Sequence, residues 1–199
     1  ASQLDQLPQG DLPEIAFVGR SNAGKSTAIN ALAQRRQLAF ASKTPGRTQH
    51  INLFALGPKD EPDSYLADLP GYGYASVERS AKLRWQQVMA DYLELRRNLG
   101  GVVLMVDSRL GFTPLDQQLL SFIAPRVGNG EVKLLVLLTK ADKLNKREQQ
   151  ASLQAAQAAL ADLATDSADL GLLLFSAPKH IGIADLAGTV YGWLHPASD

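Results

Sequence analysis

The first residues able to do chemistry form one run, Gly19-Arg20-Ser21-Asn22-Ala23-Gly24-Lys25-Ser26, followed by Thr27. Its spacing matches the Walker A pattern. The flanks agree, because residues 14–18 read as a strand and a helix opens at Gly24. Gly19 and Gly24 permit a tight loop whose inward-facing backbone N–H groups cradle phosphate oxygens. The helix N-terminus adds its positive dipole end to the same anion. In such a loop Lys25 bridges the β- and γ-phosphates, and the Ser26 hydroxyl ligates magnesium.

Three later motifs bear on which nucleotide this is. Asp68-Leu69-Pro70-Gly71 follows a strand at residues 64–67. An aspartate there holds magnesium through water, and Gly71 lets a backbone N–H turn toward a γ-phosphate. Alone, it is an ordinary Pro-Gly turn. Thr139-Lys140-Ala141-Asp142 follows a strand at 132–138. A carboxylate accepts hydrogen bonds from guanine's ring N–H and exocyclic amine, a donor pair adenine lacks. Lys140 can lay its methylene stem over the base. Alone, this is a solvated turn. Last come Phe175 and Ser176-Ala177-Pro178-Lys179, where a backbone N–H can meet the guanine O6.

These motifs need elements to hold them. Short apolar runs at 14–18, 51–56, 64–67, 102–106, 132–138 and 172–175 read as strands. They alternate with helices starting near Gly24, Val77, Pro114, Lys146 and Gly182. Trp85, Val88, Met89, Tyr92, Leu95 and Leu99 make one apolar helical stripe, and Leu153, Ala156, Leu160 and Leu163 another. Thr113-Pro114 offers an N-cap with proline at the first helical position. The expected fold is α/β: a mostly parallel six-stranded sheet with helices on both faces. Residues 57–63 are too few for a crossover helix, so the second and third strands form an antiparallel edge hairpin. Every motif then lies at the carboxyl edge of the sheet, where open α/β folds bind ligands. Together they read as a guanine-nucleotide site.

The chain has 199 residues, 45% hydrophobic, enough for a packed core and against disorder. The expected division is an arm at 1–13, one nucleotide-binding domain at 14–195 and a tail at 196–199. The net charge is zero, so bulk charge gives no drive toward nucleic acid or membrane. With no cysteine, disulfides and thiolate metal sites are excluded. No apolar run approaches the ~20 residues of a membrane span, and the start is not signal-like, so a cytoplasmic protein is expected.

GRSNAGKST, KTPGRTQ, DLPGYGYA, TKAD and SA, in that order, resemble the EngB family (YsxC/YihA-type) of bacterial GTP-binding proteins. These belong to the TrmE-Era-EngA-EngB-septin-like group. The match runs from Pro13 to about Trp193, and residues 42–49 and 68–75 resemble that family specifically. The resemblance implies a Ras-like GTPase fold and a magnesium-dependent GTP/GDP switch. It also implies a part in assembling the large ribosomal subunit, needed for cell division and septation, with no membrane or DNA partner. Within Gly46-Arg47-Thr48 it implies Thr48 as the switch threonine on magnesium. Position alone does not separate Thr48 from Thr44. The polar segment 34–49 is expected to order only with GTP.

Two departures from Ras-like GTPases matter. Tyr72 stands where they carry the water-orienting glutamine, so intrinsic hydrolysis should be slow and no catalytic base is assigned. Thr139 replaces asparagine, with a hydroxyl still able to tie its turn to the phosphate loop. Asn22 reads equally as a potassium ligand, which some related GTPases have, or as a residue tolerating a left-handed turn. Trp85 and Tyr92 read as core, His50, His180 and His195 as scattered, and Asp107 as a structural cap in preference to a support of the switch. Arg79, Lys82, Arg84, Arg96 and Arg97 read as a solvated face or as RNA-phosphate contacts. The rivals are a P-loop kinase or ATPase acting on a small molecule, and a GTPase of the same group with another RNA task. Relatives with that other task usually carry an extra domain, for which the last helix is expected to leave no room.

Overall fold

The computed structural model describes residues 4–33, 50–58, 61–73 and 78–197. Its strands are β1 (Glu14–Gly19), β2 (Asn52–Leu56), β3 (Ser64–Asp68), β4 (Leu99–Asp107), β5 (Lys133–Thr139) and β6 (Leu170–Leu174). They form one sheet in the order β2-β3-β1-β4-β5-β6, with β2 and β3 antiparallel and the other pairs parallel. The helices are α1 (Lys25–Ala33), α2 (Arg79–Leu95), α3 (Pro114–Gly128), α4 (Lys146–Leu160) and α5 (Ile183–Leu194). The expected α/β architecture and its edge hairpin are present.

Strand side chains alternate between two cores, as a period of two requires. Ala16, Val18, Leu104 and Val136 meet Met89, Leu119, Ile123 and Ala156, so α2, α3 and α4 cover one face. Ile15, Phe17, Val103 and Leu137 meet Ile29, Leu186 and Val190, so α1 and α5 cover the other. Gly101 lets α5 approach closely: a Cβ there would lie 2.4 Å from the Trp193 ring.

Helix starts follow their capping chemistry. Thr113 accepts from the Asp116 backbone N–H while the Asp116 carboxylate accepts from the Thr113 backbone, a capping box ahead of Pro114. Asn145 and Glu148 do the same for α4. The stripe of α4 runs as expected, with Leu163 carried on a 3₁₀ turn beyond it.

The first stripe ends one turn earlier than its spacing predicts. Leu95 ends α2 with 63% of its surface exposed, and Leu99 opens β4 instead. Arg96 leaves helical geometry with ψ of 110°, because its side chain is drawn inward to Glu14. Extended backbone from Leu99 then pairs with Glu14 of β1. Arg96 therefore belongs to no solvated or RNA-facing surface: it is 5% exposed and bonded to Glu14 and to the Pro8 carbonyl at 2.7 Å. Tyr92 donates to the same Glu14 carboxylate at 2.8 Å. The Asn98 amide donates to the carbonyls of Gly10 and Leu12, and Leu7 is buried, so residues 4–13 pack onto the domain.

Candidate nucleotide-binding site

Between β1 and α1, residues 20–24 turn sharply. Asn22 (φ 65°) and Gly24 (φ 92°) both take left-handed conformations, and the Ala23 N–H donates to the Arg20 carbonyl at 3.0 Å. Gly19 has no room for a side chain, since a Cβ would lie 3.0 Å from Met105. Lys25, Ser26 and Thr27 form the first turn of α1, whose free N–H groups face the loop. The Lys25 ammonium pairs with the Asp68 carboxylate at the end of β3. Burial pulls the lysine down to about 8.

The segment after Asp68 is laid across the phosphate loop. Leu69 N–H donates to Phe17 O at 3.1 Å, and the Pro70 carbonyl accepts from the Trp85 indole at 3.1 Å. Gly71 lies over Ser21, where a Cβ would come within 3.3 Å of the hydroxyl. The Ser21 N–H donates to the Tyr72 carbonyl at 2.8 Å, a bridge continuing the sheet between the two loops. Gly73 (φ 88°) then passes so close to Arg20 that a Cβ would sit 2.8 Å from its Nε. Tyr72 turns its ring inward, 3% exposed, against Trp85 and with its hydroxyl on Asp116. Burial first, and the Asp116 carboxylate second, push this phenol well above its ordinary range. The side chain standing at the glutamine position is thus part of the core.

At the base end, the Asp142 carboxylate accepts from the Ser176 hydroxyl at 2.7 Å, and that bond holds its carboxyl below the usual range. The Ala141 N–H donates to the Phe175 carbonyl at 3.1 Å, and Ser176 pairs with Ile181 in both directions, closing the Ser176-Ala177 loop. Lys140 is left-handed (φ 57°). Its ammonium lies 3.3 Å from the Asp107 carboxylate, which also takes the Arg109 guanidinium at 2.8 Å. Thr139 does not reach the phosphate loop. Its hydroxyl donates to the Val106 carbonyl at 3.3 Å, because the parallel register sets Thr139 beside Asp107.

The structure therefore brings the phosphate loop, Asp68–Tyr72, Thr139–Asp142 and Phe175–Ala177 to one sheet edge. Gly46, Arg47, Thr48 and its competitor Thr44 lie outside the described residues, as does Val77. Asp107 caps its turn as expected, accepting the Arg109 backbone N–H at 2.9 Å, and is in addition an ion-pair partner of the base motif. Its place at the end of a strand on that edge, before an arginine, was the available signal. Among the described residues no group of histidine and acidic side chains forms a metal cluster, and no helix is long and apolar enough to cross a membrane.

A six-stranded Ras-like sheet carrying a Walker A loop and a guanine-type motif on one edge defines a P-loop GTPase. Residues 14–140 match the family model described as 50S ribosome-binding GTPase. The chain is 56% identical over 197 residues to the probable GTP-binding protein EngB of Albidiferax ferrireducens, covering 99% of this chain and 91% of that protein. It is 48% identical to the counterpart in Paraburkholderia phytofirmans, covering 98% and 89%. The chain belongs to the EngB family of GTP-binding proteins. A crystal structure of a probable GTP-binding protein EngB has the same fold (TM-score 0.68, 21% identity, 92% of this chain and 100% of that one). So does Era in complex with MgGDPNP and part of 16S ribosomal RNA (TM-score 0.69, 21% identity, 95% and 59%).

Proposed function

We propose that this chain is a slow, magnesium-dependent GTP switch acting on the large ribosomal subunit or its precursor. The observation carrying this reading is the placement of Asp142, bonded to Ser176, on the same sheet edge as the Lys25–Asp68 pair. Residues 19–27 take the phosphates. Gly71 senses the γ-phosphate, assisted by residues 46–48, and Asp68 through Gly71 line that end. Thr139 through Asp142, with Phe175, Ser176 and Ala177, take the base.

Magnesium suits this donor set. Asp68 offers a nearly buried carboxylate and Ser26 a hydroxyl, the hard oxygen ligands Mg²⁺ prefers; these, with Thr48, would hold the ion, Asp68 through water. Bound there, the ion neutralises charge on the β- and γ-phosphates. Tyr72 lies in the core, so no catalytic base is assigned at the glutamine position and intrinsic hydrolysis is expected to be slow. Asn22 already has a left-handed backbone, which accounts for its residue type. A potassium ion beside it is the alternative, and equal GTPase rates in potassium and sodium, with and without ribosomes, would remove that ion.

The ribosomal partner is supported by the family model's description and by Arg79, Lys82 and Arg84, all exposed on the first turns of α2. The working domain is residues 14–195, in the cytoplasm.

The deciding experiment is calorimetry with GTP, GDP and ATP plus magnesium, on this protein and Asp142→Asn. Tight guanine binding is expected, lost in the variant while xanthine nucleotides gain. ATP binding as tight as GTP would restore the kinase or ATPase reading.

A further inference from the structure

We propose that Asp107, at the end of β4, is a positioning residue of the base site, anchoring the Lys140 ammonium so that the lysine stem covers one face of the guanine. The proposal rests on the GTP reading above and adds a fifth strand end to the site.

The parallel register places Asp107 beside Thr139, one residue before Lys140. The Ser108 N–H donates to the Thr139 carbonyl at 3.0 Å, locking the two turns together. The Asp107 carboxylate is itself held from two sides. Oδ1 accepts from the Arg109 backbone N–H at 2.9 Å and from Arg109 Nε at 3.0 Å. Oδ2 accepts from an Arg109 terminal nitrogen at 2.8 Å and faces Lys140 Nζ at 3.3 Å. The Asp107 carbonyl takes the N–H groups of Leu110 and Gly111, both at 3.0 Å, so its backbone cannot drift.

Lys140 needs such an anchor. Its left-handed backbone aims the side chain in a direction few residues adopt. A lysine stem with four rotatable bonds would otherwise sample many rotamers and offer no fixed surface. With the ammonium held at one end and the backbone at the other, the methylenes are stretched between two fixed points. The anchor also ties the base end to the phosphate end. Asp107, Arg109 and Lys140 share a cleft of about 240 Å³ with Asn22 and Ala23 of the phosphate loop.

Lys140 is 33% and Arg109 47% exposed, so removing the carboxylate leaves two cations that water can solvate. Asp107→Asn should therefore fold. Asp107→Ser repeats every measurement should Asn impair that turn.

The test is titration and dissociation of fluorescently labelled GDP with wild type, Asp107→Asn, Lys140→Met and the double variant. Asp107→Asn should weaken binding about tenfold, mainly through faster dissociation, while keeping guanine over xanthine. The double variant should be no weaker than Lys140→Met alone, since the carboxylate acts through that ammonium. A purely structural role would instead weaken both backgrounds equally. Arg109→Ala, which removes one support of the carboxylate but leaves its Lys140 pair and the backbone N–H in place, should weaken binding clearly less than Asp107→Asn. The proposal is overturned if Asp107→Asn binds like wild type, if the two effects add, or if Arg109→Ala is as damaging as Asp107→Asn. Failure of the wild type to bind GDP would instead overturn the GTP reading beneath it.

Discussion

The Tyr72 hydroxyl donates a hydrogen bond to the Asp116 carboxylate, linking the segment after Gly71 to the cap of α3. Asp116 also accepts from the Thr113 N–H at 2.8 Å and hydroxyl at 2.9 Å, so one carboxylate serves three donors.

Tyr72→Phe removes one of those donors from a carboxylate that keeps the other two. The expected loss is about 1–2 kcal/mol of stability, measured by chemical denaturation. Single-turnover GTP hydrolysis should stay within about twofold of wild type, because the ring is buried against Trp85 with its hydroxyl turned to Asp116. A large fall in rate with unchanged stability would place the phenol in the reaction.

Arg96→Ala strands the Glu14 carboxylate, which is fully buried and keeps, among the described residues, the Tyr92 hydroxyl as donor. Removing one partner of a buried pair costs about 3–5 kcal/mol. It also frees the Pro8 carbonyl, so residues 4–13 should become sensitive to protease. Urea unfolding and limited proteolysis check both effects. A loss under about 1 kcal/mol would mean water reaches the pair.

Lys25 sets a pH dependence with opposite signs for stability and binding. Its ordinary 10.5 falls to about 8 in the folded chain. Above pH 8 the unfolded chain holds more protons than the folded one, so nucleotide-free stability gains a rising contribution there. Phosphate binding needs the ammonium, so GDP affinity should fall over the same range. Calorimetry from pH 7 to 9 should find proton uptake on binding that grows above pH 8. Lys25→Arg, which stays charged, should lose that dependence.

The exposed start of α2 is the surface to test for ribosomal RNA. Reversing Arg79 and Lys82 to glutamate should weaken co-sedimentation with large subunits and reduce its salt dependence, each lost phosphate contact lowering the slope by roughly one. Unchanged, salt-sensitive binding would move the RNA contact elsewhere.

Sequence pattern made the strands and motifs legible because both are local: a short continuous apolar run marks a strand buried on both faces, and a Walker A loop lies within nine residues. The antiparallel hairpin was readable for a similar reason, since seven linking residues cannot cross a sheet. The end of α2 was not legible. Leu99 fits a helical stripe as well as Leu95 does, and only the reach of Arg96 back to Glu14, 82 positions earlier, decides between them. The Asp107–Lys140 pair was hidden in the same way, because it arises from strand register, which no local spacing encodes. Thr139 carried a hydroxyl whose partner depended on that register too.

The clamp on Arg96 has a mechanical consequence. At its last turn α2 is pinned by Glu14 and the Pro8 carbonyl, while its first residue follows directly on the segment that leaves Gly73. A helix of 17 residues is about 25 Å long. Pivoting by roughly 10° about the pinned end, it would carry Arg79 and Lys82 through about 4 Å while Leu95 scarcely moves. Such a pivot would make the helix a lever, moving the charges of its first turn farthest and taking with it the Trp85 contacts to Pro70 and Tyr72.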